Sequence, residues 1–216
     1  MESRIDSTRA IARAIRQANQ PPAVLINASA VGFYGDVPEG RVTETSAKGK
    51  GFLADTCSLW EDTAKEAASS GTRVITIRLG IVLEKGGGAL SKMIPPFLLF
   101  MGGPLGTGKQ WLPWIHRDDV IGGILHLLKN TKLQGAVNFT APETVTMKQF
   151  CSELGRALNR PSWATVPAFA LKMILGEMSD LFLEGQAVVP EKLEHSGYKF
   201  HYSHLNDALA AIVKKT

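Results

Sequence analysis

Three short apolar runs punctuate this chain: AVLIN at 23–27, RVITIR at 73–78 and AVNF at 136–139. A run of four to six such residues between turn signals reads as a strand covered on both faces. The stretches between them have helical period. Leu53, Cys57, Trp60, Ala64 and Ala67 recur at spacings of three and four across 52–68, and Ile11, Ile15 and Ala18 share a face in the first helix. Strands alternating with amphipathic helices require a parallel sheet with crossover connections, so the expected class is α/β.

Local signals set the expected boundaries. Ser3 and Asp6 form a capping-box pattern for a helix to about residue 19, where Pro21 and Pro22 break it. Residues 29–51, rich in glycine and polar side chains, read as a long loop at a strand's carboxyl end. A helix is expected within 90–101, with Pro95 and Pro96 suited to a helix opening. Asp118 and Asp119 are expected to cap a helix over 120–129. Beyond Thr146 the pattern turns helical, over 147–158, 168–175 and 205–215, with Pro161, Pro167 and Pro190 between. The reading is therefore a Rossmann-type parallel sheet, the C-terminal half of a doubly wound domain, with a smaller and mostly helical C-terminal lobe. The division falls at 1–140 and 141–216.

Composition narrows the partners. A formal charge of +4, with lysines and arginines scattered among acids, argues against nucleic acid. No apolar run is long enough to span a bilayer and no basic-then-apolar leader opens the chain, so the expectation is a cytoplasmic protein without a membrane partner. Cys57 and Cys151 are too few for a disulfide framework or a cysteine-ligated zinc site. His201 and His204, with His195 nearby, lie in a segment with a glycine and strand-favouring aromatics, and no acid stands at ligand spacing. No metal site is expected.

The stretch GPLGTGKQ at 103–110 imitates a phosphate loop, but Gln110 has no hydroxyl for a magnesium ion and Pro113 falls where the following helix should run. A glycine-rich turn leading into an extended segment is expected instead. Nowhere does a strand lead through G-x-G-x-x-G into a helix, the usual cradle for a dinucleotide pyrophosphate.

Taken in order, SRIDSTR at 3–9, NASAVGFYGD at 27–36, RLGIVL at 78–83 and PWIHRDD at 113–119 resemble the extended short-chain dehydrogenase/reductase superfamily. Within it they are most similar to an epimerase-like branch of nucleotide-sugar epimerases, sometimes labelled cell-division inhibitors. LEGQAVVPEKL at 183–193 looks like that branch's terminal region. The resemblance implies an NAD(P) cofactor of undetermined preference and a small-molecule pocket between sheet and lobe. It also implies that, relative to complete members, the first strands and helices, which hold the cofactor's phosphates and adenosine, are lacking here. Exposed strands at that side make a homo-oligomer an expectation.

The superfamily uses a tyrosine with a lysine four residues on as its proton-transfer couple. Here the residues four beyond Tyr34, Tyr198 and Tyr202 are Pro38, Tyr202 and Asn206, and counting back from Trp60 and Glu61 the family positions are Leu53 and Cys57. Ser29 matches the superfamily serine that bonds the reacting oxygen, or it ties down the loop after its strand. Tyr34 offers a phenol from the same loop, or it packs beside Phe33. Arg78 ends a buried strand, where it either pairs with a carboxylate or meets a ligand. His116 sits at an expected pocket edge as a proton donor. The candidate catalytic set is thus Ser29, Tyr34 and His116, and the candidate cofactor set is Ala28, Ser29, Arg78, Gly80 and Ile81. The function implied is an NAD(P)-dependent epimerase or reductase acting on a nucleotide sugar or similar polar molecule. A sensor that has lost the couple and an interaction module are the alternatives.

Overall fold

The computed structural model describes residues 2–169, 173 and 183–214. In chain order the elements are α1 (Glu2–Gln17), β1 (Val24–Ala30), a 3-10 turn (Val31–Tyr34), β2 (Val37–Val42), α2 (Phe52–Lys65), a second 3-10 turn (Glu66–Ser70), β3 (Arg73–Leu79), β4 (Ile81–Leu83) and α3 (Gly88–Leu98). They continue with β5 (Trp114–His116), α4 (Arg117–Lys129), β6 (Gly135–Phe139), α5 (Met147–Leu158), β7 (Gln186–Val188), α6 (Glu191–His195) and α7 (Leu205–Lys214). The helix expected over 168–175 falls mostly outside the described residues.

The expected parallel sheet is present, in the order β1-β3-β6, with parallel pairs β2-β7 and β4-β5 beside it. Period-two alternation sorts its side chains cleanly. Val24, Ile26, Ile75, Ile77, Val137 and Phe139 pack with Leu127, Val120 and Ile124 of α4 on one face. Leu25 and Val74 meet Ala12, Ile15 and Ala67 on the other, under α1 and the turn after α2. A second core forms where Phe150, Cys151 and Leu154 of α5 meet Leu205, Leu209 and Ile212 of α7. Leu83, Leu90, Phe97 and Trp114, from earlier in the chain, complete it. No described helix is long and apolar enough to cross a membrane.

Four local expectations give way. Residues 29–51 are not one loop, since β2 lies within them and pairs in parallel with β7. Its exposed, glycine-bearing sequence has no alternation, and only the later partner makes it a strand. Ser3 lies inside α1, which begins at Glu2, rather than capping it. The two prolines sit inside α3, not at its start. Proline removes an amide and crowds the preceding turn, and α3 ends two residues after Pro96, before a further turn would be needed. Finally, α4 is capped by the imidazole of His116, whose Nδ1 accepts from the Asp118 amide at 3.0 Å, while Asp118 and Asp119 occupy the first turn.

The stretch 103–110 is a turn, as expected, with no helix after it. Its ends are held from the lobe, where the Gly106 amide donates to the Val166 carbonyl and the Lys148 amide donates to the Gly108 carbonyl. The lobe's first helix carries a complete capping box, in which Thr146 Oγ1 accepts from the Gln149 amide and the Gln149 side chain accepts from the Thr146 amide. Thr146→Ala removes one half of that exchange. We expect a loss of about 1 kcal/mol, read as a lowered urea midpoint with an unchanged slope.

Candidate functional site

Strand register lines up one row at the carboxyl end of the sheet: Ser29 stands opposite Arg78, and Arg78 opposite Asn138. All three face α2, the face opposite α4. Each is nearly sealed from solvent, at 3%, 4% and 0% exposure. A guanidinium so placed needs a compensating charge, and Glu61 of α2, 2% exposed, supplies it. Arg78 Nε and Nη2 donate to Glu61 Oε1 and Oε2, both at 2.8 Å, in the two-pronged geometry that arginine and carboxylate share.

The pair is the centre of a wider chain of bonds. Ser29 Oγ donates to Glu61 Oε1 at 2.8 Å. Arg78 Nη1 donates to the Tyr34 hydroxyl at 2.9 Å, and that hydroxyl donates to Asn138 Oδ1 at 2.6 Å. Asn138 passes the chain on, since its Nδ2 donates to the Val189 carbonyl at 3.0 Å. The Arg78 guanidinium also lies 3.5 Å from the centroid of the Phe33 ring, a stacked arrangement that suits a weakly hydrated cation. Burial works against the charge on Arg78, but the bonds to Glu61 and Tyr34 outweigh it, and its pKa rises above the ordinary value. Burial likewise raises the Tyr34 phenol, with Arg78 opposing it.

The structure thus unites Ser29, Tyr34 and Arg78 and adds Glu61 and Asn138, which the sequence reading did not assign. Each of the two open alternatives for Arg78 and Tyr34 is visible in part: Arg78 pairs with a carboxylate, and Tyr34 meets Phe33 edge-on at 5.4 Å. A signal for Glu61 was available. It interrupts the buried stripe Ala54, Cys57, Ala64 of α2 with an acid, and an acid on an apolar stripe calls for a buried cation.

His116 lies in a different cluster. Its ring stacks at 4.0 Å on Tyr202, beside a second buried carboxylate, Asp119. Asp119 Oδ1 accepts from the His201 amide at 2.7 Å and the Tyr198 hydroxyl at 3.1 Å, and Oδ2 accepts from the Tyr202 amide at 3.0 Å. The remaining candidates follow the backbone. Ala28 is half-buried on the α4 face, Ile81 opens β4, and Gly80 joins β3 to β4. A Cβ on Gly80 would stand 2.8 Å from the Pro113 carbonyl oxygen, so glycine is required there by close packing of β5's approach. At the positions of the missing couple, Leu53 is exposed at the start of α2 and Cys57 is buried beneath it. Burial pushes the Cys57 thiol up. Among the described residues no group of three or more His, Cys, Asp or Glu could hold a metal ion.

A parallel sheet ordered this way, flanked by helices on both faces and with its polar row at the strand carboxyl ends, defines a Rossmann-like nucleotide-cofactor fold. Residues 1–139 match the model of the NAD dependent epimerase/dehydratase family, and residues 166–212 match a domain of unknown function. The chain belongs to that epimerase family. It is 47% identical over 197 residues to the chloroplastic epimerase family protein SDR39U1 homolog of Arabidopsis thaliana, covering 91% of this chain and 56% of that protein. It is 42% identical to the epimerase family protein YfhF of Bacillus subtilis, covering 99% and 70%. The crystal structure of human epimerase family protein SDR39U1 with NADPH superposes with a TM-score of 0.95 at 33% identity, covering 99% of this chain and 73% of that one. The chain therefore spans roughly half to three quarters of the length of these relatives.

Two predictions follow from the buried row. Glu61→Gln leaves Arg78 buried without its charge partner, and we expect about 3–5 kcal/mol lost in chemical denaturation. Glu61→Leu with Arg78→Met removes both charges and should recover a large part of that loss. The second concerns alkali. Tyr34 and Cys57 hold their protons more tightly folded than unfolded. The stabilisation is complete below the unfolded values, 10.0 for the phenol and 9.0 for the thiol, and drains away as pH rises past them. Urea midpoints should fall above about pH 9, and Cys57→Ala together with Cys151→Ala, whose thiol burial pushes up to about 12, should flatten the first part of that fall.

Proposed function

We propose that this chain forms the nicotinamide-end and substrate-side portion of an NAD(P)-dependent epimerase or reductase acting on a nucleotide sugar or a similar polar molecule. The supporting observation is the division of labour between the two faces of β1. On the α2 face, Ser29 Oγ has its only proton committed to Glu61. On the α4 face, Ala28 and Ala30 present no side chain beyond Cβ and are only half-buried. In the described residues β1 is an edge strand of its sheet. Small residues at the carboxyl end of such a strand are where a flat ring can approach backbone.

The fit to a dinucleotide is partial. Ala28, Ser29 and the segment from Arg78 through Gly80 to Ile81 would border the ring-bearing end, and the sequence supplies no glycine-rich cradle for the pyrophosphate. When bound, the cofactor supplies hydride exchange with a carbon of the substrate. The chain's own residues then position: Glu61 and Ser29 hold Arg78, Arg78 holds Tyr34, and Tyr34 fixes the turn that follows β1. In this reading residues 1–140 carry the cofactor side and 141–216 the substrate side, with His116 between them. The nucleoside-diphosphate sugar epimerase of Corynebacterium glutamicum, 30% identical with a TM-score of 0.78, supports the substrate class. A cytoplasmic address, and self-association through the β1 edge, are parts of the same proposal.

Titration with NADPH and with NADH tests the reading. At least one should quench tryptophan emission saturably, and Ala30→Leu, which fills the α4 face, should weaken it about tenfold or more, the scale of a lost near-contact. Far-ultraviolet dichroism should stay unchanged. Absence of saturable quenching by either cofactor would overturn the proposal.

A further inference from the structure

The carboxyl end of α3 is built in an uneconomical way. It closes with a Schellman turn, in which the Phe100 amide donates to the Phe97 carbonyl and the Met101 amide donates to the Pro96 carbonyl. The residue at the left-handed position of that turn is ordinarily glycine, yet here it is Phe100, at φ 62°. A bulky side chain in that region is strained. The strain does not serve burial, because Phe100 is 56% exposed, with Leu99 at 72% and Met101 at 64% on either side.

Trp163 joins this tip from the lobe. Its Nε1 donates to the Phe100 carbonyl at 3.0 Å, yet the residue is 68% exposed. The two stretches that form the tip carry bases and no acids. No acid occurs from Lys85 through Arg117, nor from Arg156 through Phe169. Arg117 and Arg156 are already paired, with Glu84 and Glu153. Arg160 instead lies 4.7 Å over the Phe100 ring and has no carboxylate partner among the described residues, and its Nε is buried without an acceptor. Lys92 stands seven residues before Leu99 on the same side of α3.

We propose that this tip is a contact surface for an anionic lipid bilayer. Leu99, Phe100, Met101 and Trp163 enter the headgroup boundary, and Arg160 and Lys92 meet lipid phosphates. The chemistry is that of peripheral attachment, which combines shallow apolar insertion with basic side chains whose charges stay at the headgroups. It is distinct from helical spanning, for which no described helix is long and apolar enough. A second copy is a poorer occupant. A two-fold contact through this tip would bring Arg160 and Lys92 towards their own symmetry mates, with no acid in 85–117 or 156–169 to offset them.

The test is co-sedimentation of the full chain with vesicles of phosphatidylcholine alone and of phosphatidylcholine with phosphatidylserine. Binding to the mixed vesicles should exceed binding to the neutral ones. Phe100→Gly should lower the partition coefficient about tenfold, the scale of one buried aromatic. It should also melt at or above the wild-type temperature, because glycine relieves the strained position. Arg160→Gln should cost about fivefold on mixed vesicles only. Three results would overturn the proposal: no binding to mixed vesicles, equal binding to both kinds, or a concentration-dependent dimer in sedimentation that Phe100→Gly disperses.

Discussion

A guanidinium enclosed in a parallel sheet is the constraint from which the architecture around it follows. Arg78 has an apolar strand before it and a core on the opposite face, so it cannot reach water without dismantling β3. Its charge must be answered in place, and the answer comes from three elements at once. Glu61 approaches from α2, Tyr34 and Phe33 from the turn after β1, and Asn138, through Tyr34, from β6. The partners come from three different elements, so satisfying one cation fixes the rotation of α2, the path of the turn and the register of the third strand together. Apolar packing alone tolerates sliding of this kind better than a directional network does.

Asp119 plays the mirror part at the start of α4, which follows the carboxyl end of β5. It is wholly buried at the start of α4, where a helix N-terminus favours negative charge. It gathers the amides of His201 and Tyr202 and the Tyr198 hydroxyl from a segment with no helix or strand of its own. The imidazole of His116 caps the same helix. One buried cation thus organises the sheet's carboxyl end, and one buried anion ties the segment leading into α7 back to it. The chemistry of the candidate site has to be fitted between these anchors.

Much of the architecture was legible because it depends on local periodicity. Ile75 and Ile77 alternate with Thr76 and Arg78, and Cys57, Glu61 and Ala64 fall on one helical face, so β3 and α2 follow from the chain within a few residues. β2 was not legible, because a strand with an exposed VPEGRV sequence is made by β7, roughly 150 residues later. The cap of α4 was misassigned for a related reason. Two aspartates satisfy the usual rule for a cap, but the strand β5 delivers His116 at the right angle first. Within the candidate site, Ser29, Tyr34 and Arg78 were individually visible. That they bond into one chain through Glu61 and Asn138 was not, since sequence periodicity carries no information about which face of β6 meets the turn after β1.

The closing of hydroxyls within the buried row bears on where a reaction could take place. Ser29 gives its proton to Glu61 and Tyr34 gives its proton to Asn138, so a substrate oxygen would have to displace one of these bonds to receive either. Displacement would expose a charged pair to competition inside a site of low polarity, where an unsatisfied partner is costly. Leu53 and Cys57 bring neither a phenol nor an ammonium to α2, and burial keeps the Cys57 thiol protonated. The row therefore works best as a fixed floor. In the function proposed above, the face of β1 that it leaves alone, where Ala28 and Ala30 stop at Cβ, is the side assigned to the cofactor ring.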